Sequence, residues 1–135
     1  LARAGILRLG ITERFHVLDP EIFTPAPGQG AIAVVCASGS EHLPRLRRLD
    51  DHGTRVAVEA ERNVLRALGG GCSVPIGVWA VPQGDGLRVR GSVISGRPED
   101  SVFVDRTVPL ESMTEGLAAI AEEMRPAVRG CGLAR

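Results

Sequence analysis

The sequence has 135 residues, 44% hydrophobic and 24% charged, and its 16 arginines balance 16 acidic side chains. These values are typical of a globular protein with one modest core, and the zero net charge gives no electrostatic bias toward nucleic acid or a membrane surface. From this charge balance we expect no nucleic-acid partner. No apolar run approaches the roughly 18 residues that a membrane span needs, so we expect no membrane partner either.

The first part of the chain predicts a helix, a turn, a strand and a second helix. Residues 1–10 begin within a helical pattern and not at a methionine, which suggests a fragment of a longer chain. Residues 24–37 begin with a turn rich in proline and glycine and end in an apolar run, which predicts a buried strand over residues 31–37. Cys36 lies in this run and is expected in the core. Residues 38–50 predict a turn and a short basic helix.

The next segment predicts an amphipathic helix that ends at a run of three glycines. Apolar residues recur on one helical face, at Val56, Ala60, Val64, Ala67 and Leu68. We expect Asp50 or Asp51 to cap the first turn of this helix. Gly69 is a natural C-cap, because glycine adopts a left-handed backbone at little cost.

The loop after this helix is the strongest candidate site in the sequence. Gly70 and Gly71 exceed what a cap needs and leave the backbone beside Cys72 open to a bulky group. Pro75 biases Val74 toward an extended conformation. We therefore expect a presented thiol, with an inert buried cysteine as the alternative. The negative end of the preceding helix disfavours a thiolate, so activation of Cys72 would need cations from elsewhere.

The last part of the chain predicts a small sheet followed by a helix. Alternating apolar and polar residues predict three antiparallel strands, at residues 76–81, 87–93 and 102–108, and we expect Trp79 to point into the core. The final helix has an apolar face at Leu117, Ile120, Ala121 and Met124. Two helices would then cover one face of the sheet, which is an α+β arrangement.

A capping box is expected at the start of the final helix. Ser112 is followed three residues later by Glu115, and this spacing lets each side chain accept a backbone N–H of the other residue.

The residues around Cys72 resemble the cysteine signature of the porphobilinogen deaminases (hydroxymethylbilane synthases). The matching positions are Glu61, Arg62, Val64, Leu68, Gly70, Gly71, Cys72, Val74, Pro75, Ile76 and Gly77. In this family the cysteine sulfur holds a dipyrromethane cofactor through a thioether bond, so the resemblance makes Cys72 the attachment residue. The cofactor primes the head-to-tail condensation of four porphobilinogen units, with release of ammonia, to hydroxymethylbilane. Gly70 and Gly71 would support the attachment loop.

Residues 1–10 resemble a family segment that lines the cofactor and substrate channel. The resemblance gives this role to Ala2, Gly5 and Arg8, with Arg8 pairing with acetate or propionate carboxylates of the pyrrole chain. From the residues alone, a solvated charge near a helix C-terminus is the better interpretation of Arg8.

The resemblance also implies a division of the chain into three parts. Residues 1–23 would end the second domain, residues 24–49 would return into the first, and residues 50–135 would form the C-terminal cofactor-attachment domain. The first two parts would be fragments, a helix and a return strand, of two α/β domains like those of periplasmic binding proteins. Gln29 in the return segment would lie near the cofactor.

The catalytic aspartate of this family has no counterpart among the acidic residues present. We therefore expect no catalytic residue in this chain and no activity from it alone. The resemblance implies that the full-length enzyme is a cytoplasmic monomer acting on a small molecule, whereas exposed strand edges would let this fragment self-associate.

Two other functions remain open. The chain could be a non-catalytic binding or assembly module, or Cys72 could be a redox-sensing thiol on an exposed loop. The lack of a resolving Cys-x-x-Cys partner argues against the redox function. Cys36, Cys72 and Cys131 are odd in number and have no metal-ligand spacing, so we expect a reducing compartment and no metal.

Overall fold

The computed structural model describes residues 2–11, 14–69 and 75–131. The helices and strands are α1 (Arg3–Arg8), α2 (Leu43–Leu46), α3 (His52–Ala67), β1 (Ile76–Gln83), β2 (Gly86–Val93), β3 (Val102–Pro109) and α4 (Met113–Gly130). Single turns of 3-10 helix occupy Arg47–Leu49, Pro98–Asp100 and Leu110–Ser112. The sheet order is β1-β2-β3 with both pairs antiparallel, so the predicted strands and their meander are confirmed.

Helices α3 and α4 pack against the same face of the sheet and against each other. Their apolar faces and the inward residues of the strands form one core, in which Val64, Val78 and Met124 are completely buried. Burial of each such side chain stabilises the fold by about 1.5–3 kcal/mol. The predicted α+β arrangement, with two helices over one sheet face, is therefore confirmed.

Both ends of α3 are capped as the sequence predicts. The side chain of Asp51 accepts a hydrogen bond from the backbone N–H of Thr54 at 2.8 Å. At the other end Gly69 has a φ of +65°, and its N–H donates to the carbonyl of Arg66. The helix that leads to the Cys72 loop therefore has fixed boundaries at both ends.

The capping box expected at the start of α4 is wrong. Ser112 is the N-cap residue, but its side chain makes no capping hydrogen bond. The chain before α4 already coils into the 3-10 turn Leu110–Ser112, which leaves Ser112 at φ −117° and ψ 26°. The side chain of an N-cap residue normally accepts a backbone N–H of the first helical turn when its own backbone is extended. The backbone of Ser112 is not extended.

The buried strand expected over residues 31–37 is also wrong. These residues are exposed and form no strand, with Ile32 87% and Val35 89% exposed. Cys36, expected in the core, is exposed as well. A strand needs a hydrogen-bonding neighbour, and none of the residues that the structure describes pairs with this stretch. Residues 31–36 line a cleft of about 910 Å³ beside α2 and α3.

Trp79 does not point into the core. Val78 and Ala80 are buried beneath the helices, whereas Trp79 between them is only half-buried. Successive side chains of a strand point to opposite faces, so Trp79 lies on the face away from α3 and α4. Every residue from Ile76 to Val81 except Gly77 is apolar, and such a run does not reveal which positions face inward.

Within the described ranges, no helix combines the length and hydropathy required to cross a membrane. In the same ranges, no three His, Cys, Asp or Glu side chains are grouped so that they could hold a metal ion.

Candidate cofactor-attachment site

Cys72, Gly70 and Gly71 lie in residues 70–74, outside the described residues, but both flanks of this segment are described. On one flank, α3 ends at Ala67 and Gly69 turns the chain with a positive φ. On the other flank, the carbonyl of Pro75 accepts a hydrogen bond from the backbone N–H of Ile94 at 3.1 Å. The pairing of β1 with β2 thus continues to the last residue before the segment.

Arg125 of α4 contacts the end of α3. Its Nη2 donates to the backbone carbonyl oxygen of Ala67 at 3.0 Å and to Glu122 Oε1 at 2.7 Å. The last carbonyls of a helix have no partner within that helix, and a cation there is favoured by the helix macrodipole. The hydrogen bonds from Arg125 lower the pKa of the Glu122 carboxyl, and Glu122 in turn raises the pKa of Arg125.

Glu61 is a buried carboxylate that joins three parts of the structure. It lies on α3 and is 5% exposed. Its Oε2 accepts from the N–H of Gly28 at 2.6 Å, and its Oε1 accepts from the N–H of Ala80 on β1 at 2.9 Å. Burial raises the pKa of Glu61, and the two backbone hydrogen bonds lower it by less. The side chain therefore holds the turn around Gly28 against both α3 and β1.

Gln29 follows Gly28 in this turn. The N–H of Gln29 donates to the carbonyl of Ala26 at 3.0 Å, and that of Ala31 donates to the carbonyl of Gly28 at 3.1 Å. Gly28 has a φ of +76°, a conformation that glycine adopts at little cost. The exposed Gln29 lines a cleft of about 400 Å³ between this turn, α3 and β1, which Trp79 also lines.

The segment before this turn lies along β1. The N–H of Val78 donates to the carbonyl of Pro25 at 2.9 Å, on the same side of the strand as the N–H of Ala80. Gly77 allows this approach, because a Cβ there would lie 2.5 Å from the carbonyl oxygen of Thr24. Residues 24–28 are therefore attached to the domain that contains the Cys72 loop.

The three other residues predicted to line the channel lie in or next to α1, and not where residues 24–28 contact β1. Ala2 precedes α1, Gly5 lies in it, and Arg8 is exposed in its last turn. Among the described residues, the hydrogen bonds and ion pairs of α1 are all local to residues 2–11. Through Glu61, the structure thus attaches the turn that contains Gln29 to α3 and to β1. Among the described residues, no such hydrogen bond attaches Ala2, Gly5 or Arg8 to α3 or β1.

The sheet face opposite the helices carries a charge network that the sequence analysis missed. Arg88 donates from Nε and Nη2 to the two carboxylate oxygens of Asp105, at 3.0 and 2.8 Å, and from Nη1 to Glu21 at 3.0 Å. Arg90 forms weaker ion pairs with the same two carboxylates. Arg88 lowers the pKa of Asp105. The bonds from Arg88 and Arg90 to Glu21 stabilise the position of residues 19–23. Because the network contains two cations and two anions, it has no net charge that would attract an anionic ligand.

No structural role is predicted above for Glu61 or Arg125, although the sequence contains one signal for the role of Glu61. Ala57, Glu61 and Val64 lie at helical spacing on one face of α3, so a glutamate occupies an otherwise apolar face. A charged residue on such a face requires a hydrogen-bonding partner. The hydrogen bond from Arg125 to Ala67 joins residues 58 positions apart, and no local pattern predicts it.

Two models of known protein families match this chain. A family model described as "Porphobilinogen deaminase, C-terminal domain" matches residues 55–124. A second, described as "Porphobilinogen deaminase, dipyromethane cofactor binding domain", matches residues 1–45.

Curated relatives have the same name. A probable porphobilinogen deaminase of Methanocella arvoryzae is 36% identical over 124 residues, which cover 92% of this chain and 41% of the relative. The Rubrobacter xylanophilus enzyme is 47% identical over 96 residues, 70% of this chain and 32% of the relative. The Corynebacterium aurimucosum enzyme is 38% identical over 129 residues, 95% of this chain and 41% of the relative. The chain thus spans about two fifths or less of these relatives' length. Since one family model matches more than half of it, the chain belongs to the porphobilinogen deaminase family.

Proposed function

We propose that the chain is the C-terminal part of a hydroxymethylbilane synthase. The full enzyme would condense four porphobilinogen units head to tail, with ammonia release, on a dipyrromethane bound to Cys72. The observation that carries this proposal is the family match over residues 55–124, which contains Cys72 and the matching signature around it.

Cys72 suits the attachment chemistry. Porphobilinogen that has lost ammonia is an electrophilic methylene-pyrrolenine, and a soft sulfur nucleophile reacts readily with its methylene carbon. The thiol loses its proton as the sulfur–carbon bond forms, the electron pair of the methylene double bond returns to the ring, and the ring nitrogen gains a proton. This addition is balanced and needs no oxidant.

The described residues offer groups that fit a dipyrromethane. Its pyrrole rings carry carboxylate side chains and N–H donors. The guanidinium of Arg8 is exposed and has no hydrogen bond or ion pair with any described residue, so it is available to a carboxylate. The exposed amide of Gln29 is available to an N–H donor. When bound, the cofactor would supply the carbon nucleophile on which the chain of pyrroles grows.

The remaining assignments follow the family resemblance. Ala2 and Gly5 would line the channel beside Arg8, and Gly70 and Gly71 would leave room around Cys72. Residues 1–23, 24–49 and 50–135 would belong to the second, first and third domains of the full enzyme. We place that enzyme in the reducing cytoplasm as a monomer, because the odd number of cysteines in this sequence favours a reducing compartment and because the resemblance implies both.

The test is intact mass measurement of the full-length enzyme, of its Cys72→Ala variant and of the present chain. We expect the full-length enzyme to carry extra mass equal to two linked pyrroles and to react with Ehrlich's reagent. Cys72→Ala should lack both signals, and Cys36→Ala should keep them.

Extra mass that persists in Cys72→Ala would contradict the attachment residue. No extra mass in the unsubstituted enzyme would contradict the function and favour a non-catalytic binding module. The isolated 135-residue chain should have an unmodified mass and no turnover of porphobilinogen, because no acidic residue in it matches the catalytic aspartate. Turnover by this chain would overturn that part of the proposal.

A further inference from the structure

We propose that residues 19–28 form a strap over the edge of the sheet, and that this strap opens and closes as one unit while the C-terminal domain stays folded. The strap has the sequence Asp-Pro-Glu-Ile-Phe-Thr-Pro-Ala-Pro-Gly. The inference goes beyond the proposed function, since it involves neither the cysteine segment nor a bound pyrrole.

The first two anchors of the strap lie on the outer face of the sheet and at its edge. On the outer face, the carboxylate of Glu21 accepts a hydrogen bond from Arg88 Nη1 at 3.0 Å. At the edge, the carbonyl of Pro25 accepts the N–H of Val78 on β1 at 2.9 Å. Between these two anchors the chain therefore passes from the outer face to the free side of β1.

The third anchor binds the strap to α3. The N–H of Gly28 donates to the buried carboxylate of Glu61 at 2.6 Å. Glu61 also accepts the N–H of Ala80, a hydrogen bond in which the strap takes no part. Glu61 and Ala80 can therefore stay bonded when the strap leaves.

The strap lies within one family match and contacts the other. Residues 1–45 match the cofactor-binding domain, and residues 55–124 match the C-terminal domain. Among the described residues, every hydrogen bond or ion pair that the strap makes beyond residues 19–31 goes to residues 55–124. The strap thus connects two domains of the family, and relative motion is the ordinary expectation at such a connection.

Polar contacts hold the strap, and its large apolar side chains add little burial. Ile22 is 70% exposed and Phe23 is 56% exposed, whereas Val64 in the core beneath β1 is completely buried. Segments with few buried apolar contacts open locally before the whole domain unfolds. The strap should therefore open more readily than the core.

The backbone of the strap is stiff enough for its anchors to open together. Three of its ten residues are prolines, whose rings fix φ. Asp19 closes a turn at its start, because it accepts the N–H groups of residues 21–23. Such a segment has little slack between neighbouring anchors, so loss of one anchor should weaken the others.

The experiment is hydrogen exchange of the backbone amides of this chain, followed by NMR at neutral pH. The amides of Gly28 and Val78 report on the strap, because each takes part in one of its anchors. The amide of Val64, in the buried face of α3, reports on unfolding of the domain. We expect Gly28 and Val78 to have similar protection factors, at least about tenfold below that of Val64.

The test variant is Glu21→Gln, which removes the charge at the outer-face anchor. We expect it to lower the protection of Gly28 and Val78 alike, by about two- to fivefold, which is the range for loss of an exposed ion pair. The protection of Val64 should not change. The amide of Ala80, on the same edge as Val78 but bonded to α3, should stay more protected than that of Val78.

The matched control is Glu123→Gln. Glu123 makes an exposed ion pair of similar length, 3.1 Å, with Arg106 and has no contact with the strap. Its substitution should leave the exchange of Gly28 and Val78 unchanged.

Three results would overturn the inference. A Glu21→Gln variant in which Gly28 and Val78 do not respond together would show that the anchors open independently. Protection of these two amides equal to that of Val64 would show that the strap opens only when the domain unfolds. An equal loss of protection at Val64 in the variant would lead to the same conclusion. The mass measurement that tests the proposed function has no bearing on any of these results.

Discussion

The carboxylate of Glu61 and the backbone nitrogen of Gly28 lie 2.6 Å apart, although 33 positions separate them in the sequence. The same carboxylate also accepts the N–H of Ala80. One side chain therefore links the turn that carries Gln29 to both α3 and β1, in addition to the hydrogen bond from Val78 to Pro25. If Gln29 contacts the cofactor as proposed, Glu61 sets the relation between the cofactor and the domain that attaches it.

Glu61→Gln should destabilise the fold by about 1–3 kcal/mol. The amide has the same shape, but its nitrogen cannot accept a hydrogen bond, so the N–H of Gly28 or of Ala80 is left without a partner. Urea unfolding measures the loss. Glu59→Gln is the matched control, because Glu59 is an exposed residue of the same helix in a long ion pair with Arg55. An equal loss in both variants would contradict the role of Glu61.

The cost of Glu61→Gln should depend on pH. Burial raises the pKa of Glu61 above its ordinary value of 4.5, so the folded state binds this proton more tightly than the unfolded state does. The resulting stability is fully present below pH 4.5 and is lost as the pH rises through the folded pKa. Glutamine does not titrate. The difference in unfolding free energy between the two proteins should therefore be larger in acid than at neutral pH, and a smaller difference in acid would contradict the direction of the shift.

Gly77→Ala should destabilise the fold by about 1–3 kcal/mol. The new Cβ would lie 2.5 Å from the carbonyl oxygen of Thr24, which cannot retreat without disturbing the hydrogen bond between Pro25 and Val78. Proteolysis of the folded protein within residues 18–27 should accelerate as this segment leaves β1. Gly96→Ala is the control, since its Cβ would meet nothing within 4 Å. A Gly77→Ala variant as stable as that control would contradict the close packing of this segment.

Much of the C-terminal domain could be predicted from the sequence. Helix α3, its caps at Asp51 and Gly69, the three strands and α4 all have local signals, namely apolar periodicity, a capping carboxylate and glycine turns. The expectations that failed at Trp79 and over residues 31–37 depended on what lies beside a strand, and a continuous apolar run does not specify that.

The site was less predictable than the fold. The resemblance identified Cys72 and Gln29, and their roles and the three domain boundaries remain predictions. Several side chains make contacts with residues far away in the sequence, as Arg125 does with Ala67 and as Arg88 does with Glu21. Such contacts depend on the tertiary fold, so local patterns along the sequence do not predict them.

Asp105→Asn should destabilise the protein at neutral pH and have little effect in acid. The hydrogen bonds from Arg88 lower the pKa of Asp105 below its ordinary value of 3.8. The stability from this group is therefore present above pH 3.8 and lost as the pH falls through the folded pKa. The measurement is the unfolding free energy of both proteins across the acid range. A constant difference between them would contradict the Arg88–Asp105 pairing.

Met124→Ala should destabilise the fold by about 2–5 kcal/mol, because it leaves a cavity in a well-packed core. Met124 is completely buried and its sulfur packs against Gly91 of β2. Leu110→Ala is the control, since Leu110 is 51% exposed and its loss should change the unfolding free energy by about 0.5 kcal/mol or less. Thermal and urea unfolding should agree on the order of the two variants.

The outward donors of β1 bear on how copies of this chain can assemble. From Val78 onward, Val78 donates to Pro25, Ala80 donates to Glu61, and the next outward residue, Pro82, has no N–H to offer. A strand from a second molecule would have to displace both acceptors before it could extend the sheet at this side. If the isolated chain polymerises, we therefore expect the growing contact to use β3 or the exposed residues 31–37, and mutations confined to β1 should not slow it.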